Sequence, residues 1–342
     1  MTHLPIPRAE GALYGLAIGD ALGMPTQLLS RPEIVARYGP LLTGFEPAPA
    51  GHPIAAGHQA GAITDDTEQA VLLGRLLVAG HGTIIPGELA GALVAWEADM
   101  KARGSLDLLG PSTRRALAAV QAGVPPEEAG SAGDTNGAAM RIAPVGIAVS
   151  DNSKKRSAPG GPDPLVDAVV QASFVTHGTS LALAGAAAVA AAVSAGISGA
   201  TVAQATQAAI AAARRGAARG RWVAGADVAA RIEWATALVA GQGPDEAMDL
   251  IYRLVGTGLA TQESVPAAFA ALAATPDDPW LTARFAASLG GDCDTIAAMA
   301  GAVAGACHGA AAFPAEAIAV IDRHHLDLPA LAAALLALRG AA

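Results

Sequence analysis

Two pairs of aspartates carry most of the chemistry legible in this chain of 342 residues. Asp65 and Asp66 lie in "TDDTEQAV" (64–71), and Asp292 and Asp294 lie in "GGDCDTIAAMAGAVAGA" (290–306). Each pair opens an apolar stretch of helical spacing, where unpaired backbone N–H groups and the helix dipole favour negative charge. Thr64 also suits a helix N-cap. A cap needs one acceptor, however, and each motif brings two carboxylates and a threonine, Thr64 or Thr295. After Gly290 and Gly291 an irregular turn can aim Asp292 and Asp294 at one point. Four carboxylates balance two divalent ions, and such hard oxygen donors suit Mg²⁺ or Mn²⁺ better than zinc. Two ions of that kind could hold a water as hydroxide and polarise a substrate oxygen.

A third segment, "GDTNGAAMRIAPVG" (133–146), joins two glycines, Gly133 and Gly137, to the polar side chains of Asp134, Thr135 and Asn136. It reads as a ligand-cradling loop entering a helix, whose exposed N–H groups suit phosphate, or as a tight connecting turn.

Helices must position these residues. Apolar spacing predicts them over 10–22, 67–79, 86–100, 164–173, 179–196, 201–214, 225–240, 244–254, 265–274, 295–310 and 315–323, and no run alternates as a strand would. Gly/Pro clusters at 39–53, 123–137 and 151–164 break the pattern. The last is also basic, at Lys154, Lys155 and Arg156. It reads as a surface loop within one domain, 1–342, because the chemical motifs fall on both sides of it. The expected architecture is all-α, a compact orthogonal multi-helix bundle. Gly301 and Gly305 point to close helix packing, either internal or between chains.

A net charge of −9 and a pI near 5.3 oppose general nucleic-acid binding. The stretch 178–200 is uncharged and long enough to span a bilayer, but its Ala, Gly and Ser content points to a buried bundle helix and no membrane. The start lacks a cationic region followed by an apolar one, and there are only 2 cysteines, Cys293 and Cys307, so a cytoplasmic setting is expected. With 5 Phe, 4 Trp and 3 Tyr the chain is poorly supplied for a carbocation cavity, which disfavours a prenyl-diphosphate enzyme with paired aspartates. The basic patch at 213–221 reads as a solvated helix end.

Together, "GALYGLAIGDALGMPTQ" (11–27), "TDDTEQAV", "GDTNGAAMRIAPVG", Thr176–His177 and "GGDCDTIAAMAGAVAGA" resemble the ADP-ribosylglycohydrolase family along nearly the whole chain. The resemblance implies a binuclear Mg²⁺ or Mn²⁺ centre held by Thr64, Asp65, Asp66, Asp292, Asp294 and Thr295, with Asp65, Asp66 and Asp294 central to catalysis. It implies hydrolysis of a ribosyl glycosidic bond, with an ADP-ribosylated protein or a small riboside as substrate, and a substrate loop at Gly133–Gly137; a non-catalytic ADP-ribose-binding relative is the further alternative, and the complete metal motifs argue against it. His177 matches a position near the ribose or adenine, and reads equally as a hydrogen-bonded core histidine. Gln27 stands where many relatives carry glutamate. Its amide can position a water but cannot act as a carboxylate base, which turns attention to Asp134 or Glu68. Glu263 either faces the pocket or caps a helix that Pro266 helps begin.

Overall fold

The structure is a computed structural model that describes residues 5–105, 109–151 and 163–341, so Lys154, Lys155, Arg156 and most of the 151–164 loop lie outside the described residues. Among the described residues eighteen α-helices follow one another: α1 Pro5–Gly23, α2 Arg31–Tyr38, α3 Asp65–Ala79, α4 Pro86–Ala102, α5 Pro111–Gln121, α6 Pro126–Ala129, α7 Gly137–Met140, α8 Ala143–Ala148 and α9 Pro164–Ser173, then α10 Ser180–Ile197, α11 Val202–Ala217, α12 Val228–Val239, α13 Pro244–Leu250, α14 Thr261–Ala274, α15 Pro279–Ala287, α16 Cys293–His308, α17 Ala315–Asp322 and α18 Leu328–Ala341. Among the described residues there is no strand, only isolated bridges at Thr135–Ala260 and Thr179–Arg221.

The most extensive helix contact joins α1 to α16, and it is built from small residues. A Cβ on Gly15 would stand 2.1 Å from the Gly301 carbonyl oxygen, and one on Gly305 1.9 Å from that of Gly11. The stripe containing Gly301 and Gly305 is therefore spent on an internal contact. The same approach brings the end of α1 onto the acidic motif, since a Cβ on Gly23 would fall 2.2 Å from Asp294 Cα. Near contact of backbones leaves no space for water and multiplies dispersion contacts, which compensates for the small size of each side chain.

Around this pair, one continuous apolar cluster takes in α3, α8, α10, α11, α14, α15 and α18. Of the 18-residue α10 stretch, long and apolar enough to cross a membrane, 89% is buried inside the protein. Leu183, Ala187, Ala190 and Ala191 all lie in that core.

Helices α2, α5 and α15 are not among the stretches that apolar spacing picked out. Each carries proline at its first or second position, where the missing N–H is no loss and the fixed φ favours the helix. Pro266 shows the opposite case: it does not start its helix but sits inside α14, which begins at Thr261. Its missing N–H leaves the Gln262 carbonyl unpaired within the helix, and Arg231 Nε donates to that oxygen at 3.2 Å.

Candidate active site

Asp65 and Asp66 occupy the first turn of α3, but they do not cap it. That task falls to Asp20 of α1, a fully buried residue absent from the sequence-based site. Its carboxylate accepts from the Thr64 N–H at 2.9 Å, the Thr64 hydroxyl at 2.7 Å, the Thr67 N–H at 3.2 Å and the Thr67 hydroxyl. Thr64 stands at the N-cap position with extended backbone, yet its side chain makes no capping bond. Because a neighbouring helix supplies the cap, the acids of α3 are released for other work. The one sequence signal for Asp20 was a lone charge within the apolar stretch 11–23 of α1.

The second motif opens α16 as the glycines suggested. Gly291 has φ +71°, and a Cβ there would meet the Thr257 carbonyl at 2.4 Å, so only glycine fits. The turn is clamped by Leu28 N–H donating to the Gly291 carbonyl at 2.7 Å and Asp292 N–H donating to the Thr257 carbonyl at 2.7 Å. Asp292 then accepts from the Asn136 side-chain amide, which ties the glycine-flanked loop to the acidic motif. Thr295 donates to Asp66 at 3.3 Å, which ties the two acidic motifs together.

These residues bound a cavity of about 330 Å³, lined by Gln27, Asp65, Thr135, Asn136, Gly137, Asp292, Asp294 and Thr295, with Arg114, Leu28 and Leu259 also on its wall. Of the sequence-predicted residues, Thr64 and Asp66 lie buried behind that surface. Gly133 and the exposed Asp134 do not line it. His177 is fully buried beneath the loop: a Cβ on Gly137 would stand 2.9 Å from its Cε1. Glu68 is held by Trp96 Nε1 at 2.6 Å and by Arg103, and Glu263 accepts from the Gly258 N–H, so neither lines the cavity. Gln27 is buried against the cavity, and its backbone carbonyl accepts from His52 Nε2 at 2.8 Å. Cys293 packs between the ligand-type aspartates, where burial raises its thiol pKa far above the usual value.

Charge is concentrated here. Burial, followed by repulsion from Asp294, Asp65, Asp20 and Asp292, holds the Asp66 pKa well above the carboxylate range. Burial pushes Asp292 up to about 6, against the opposing bonds from Asn136 and Thr295. Asp20 is raised by burial and partly restored by its four donors. Asp66 Oδ1 is buried with no hydrogen-bond partner among the described residues. As they stand, no group of three or more His, Cys, Asp or Glu side chains among them is arranged so that it could hold a metal ion. The donor chemistry nevertheless fits a hard divalent ion: clustered carboxylates held above their normal pKa, one orphaned buried oxygen and threonine hydroxyls beside them.

The ADP-ribosylglycohydrolase family model matches residues 1–342. The chain belongs to the ADP-ribosylglycohydrolase family. It is 36% identical over 330 residues to the uncharacterized protein YegU of Escherichia coli, covering 96% of each chain. It is 34% identical over 151 residues to the ADP-ribosyl-[dinitrogen reductase] glycohydrolase of Rhodospirillum rubrum, covering 41% of this chain and 44% of that one. A solved structure described as an ADP-ribosylglycohydrolase-related protein complex superposes with a TM-score of 0.70 at 26% identity, covering 98% of this chain and 99% of the other. Membership supports glycosyl-bond hydrolysis in the broad sense.

Proposed function

We propose that this family member hydrolyses a ribosyl glycosidic bond in the acidic cavity, releasing ADP-ribose from a modified protein side chain, with two Mg²⁺ or Mn²⁺ ions held by Thr64, Asp65, Asp66, Asp292, Asp294 and Thr295. The observation that carries this reading is the convergence of two acidic helix starts and the Asn136 loop on one cavity. Divalent cations bound there supply charge stabilisation and a more acidic water.

The chain's own groups divide the remaining work. Asp65 and Asp294 face the cavity and can accept a proton from water. Thr135 and Asn136 offer a hydroxyl and an amide to sugar oxygens, with Asn136 fixed by Asp292. In the overall reaction a water oxygen bonds to the anomeric carbon, the bond to the leaving group breaks, and one proton from the water ends on that group. At about 330 Å³ the cavity is at the lower end of small-molecule pockets, which supports enclosure of the ribosyl end with a bulky leaving group outside.

Gln27 favours a second reading. With an amide on the cavity wall where relatives carry a carboxylate, a small N-riboside of lower demand for a base is the alternative substrate. Arginine- and serine-ADP-ribosylated proteins and free nucleosides, each incubated with the chelated protein and then with added Mg²⁺, test both readings. Free ADP-ribose released only with metal supports the first. Nucleobase release without ADP-ribose release overturns it in favour of the second.

A further inference from the structure

Arg141 is the largest fully buried side chain among the described residues, and no carboxylate contacts it. Burying a guanidinium without a contacting anion is expensive, and an apolar residue of similar volume is often neutral or stabilising in such a place. Burial lowers its pKa to about 10, only partly opposed by the charge of Asp65. Its Nε–H is buried without a partner among the described residues. A purely structural side chain has no need of this arrangement.

The two arms of the guanidinium do have partners, and both lead to the cavity. One arm donates to Gln69 Oε1 at 3.0 Å, and Gln69 Nε2 donates to Asp65 Oδ2 at 3.0 Å. As arginine offers donors only, it fixes which end of the Gln69 amide turns toward Asp65. The other arm donates to the Thr176 hydroxyl at 2.7 Å. That hydroxyl has one hydrogen and two acceptors in reach, His177 Nδ1 at 2.8 Å and the Ser173 carbonyl at 3.4 Å. The nearer acceptor takes it, so the neutral imidazole carries its hydrogen on Nε2. Nε2–H then donates to Thr135 Oγ1 at 3.0 Å, which leaves the Thr135 hydroxyl hydrogen available to donate elsewhere. Arg141, Thr176 and His177 are buried off the cavity wall, whereas Asp65, Gln69 and Thr135 line the cavity.

We propose that Arg141 is a positioning residue of this site: its planar fork orients Asp65 through Gln69 on one side and Thr135 through Thr176 and His177 on the other. Two cavity groups more than sixty residues apart in sequence are thereby set by one rigid cation. Lysine, a single flexible point charge, cannot span both partners in a fixed plane.

The test compares wild type, R141K and T176V as full-length chains. In protein labelled with ¹⁵N-histidine, with His177 assigned from H177Q, the wild-type imidazole is expected as the Nε2–H tautomer, and both variants are expected to lose that preference. The kinetic arm rests on the ribosyl-hydrolase reading. T176V, which breaks only the Thr135 side, is expected to raise KM about tenfold with kcat nearly unchanged, and R141K, which breaks both sides, to lower kcat/KM about a hundredfold. An unchanged His177 tautomer in both variants overturns the proposal, even if their melting temperatures fall, because a structural residue would do no more than that. Wild-type protein silent toward ADP-ribosylated substrates refutes the functional reading alone, and the tautomer measurement still decides the role of Arg141.

Discussion

Neutralising Asp292 without changing its shape gives a sharp test of the charge crowding at the cavity. In the metal-free protein its carboxyl holds its proton up to about pH 6, against an ordinary value of 3.8. That gap corresponds to about 3 kcal/mol at 25 °C, at 1.36 kcal/mol per tenfold change in proton affinity. Because the folded-state pKa is raised, the folded protein binds the extra proton. The stabilising contribution is therefore complete below pH 3.8 and is lost as pH rises through 6. Asp292→Asn retains the acceptor for Asn136 and removes the charge. In urea unfolding with EDTA, D292N should exceed wild type by about 3 kcal/mol at pH 7, and the difference should close as pH falls toward 4. Comparing the two proteins cancels the opposing contributions of His52, His58 and His177, whose burial lowers their pKa values. Added Mg²⁺ should raise the stability of wild type and do less for the variant. A D292N protein no more stable than wild type at pH 7, or a difference independent of pH, refutes the reasoning.

Alanine at Asp65 or Asp294 should abolish turnover while leaving the helical circular-dichroism signal largely intact; retained activity would contradict the proposed site. G301A, whose new methyl would stand 2.1 Å from the Gly15 carbonyl, should lose about 3 kcal/mol or more in urea unfolding, and a loss under 1 kcal/mol would mean that the α1–α16 contact readily yields. Gln27→Glu adds a carboxylate to an acidic cavity, so it should tighten Mn²⁺ binding in titration calorimetry and lower stability in EDTA at pH 7. Unchanged Mn²⁺ affinity would place Gln27 outside the cation's reach.

The all-α fold was legible because apolar residues recur at helical spacing in stretches such as 67–79 and 201–214, which became α3 and α11. The paired acids were legible because two carboxylates beside a threonine exceed what a helix start needs. What escaped were residues whose role depends on distant partners. Asp20 caps a helix 44 residues further along the chain, and nothing in its own neighbourhood indicates that. Arg141 lay inside a quoted motif, yet its partners Gln69 and Thr176 are 72 and 35 residues away. At the start of α2, α5 and α15 proline favours helices that apolar spacing had not picked out, and in α14, which Pro266 was expected to help begin, the Arg231 side chain makes an interior proline tolerable.

The most direct measurement is a Mn²⁺ titration of the chelated protein, read in parallel as bound ion by electron paramagnetic resonance and as ADP-ribose released from modified protein. The account predicts two ions bound per chain in wild type, release rising with their occupancy, and loss of both in D65A and D294A. Full release at zero bound Mn²⁺, or tight binding that survives in both variants, would contradict it.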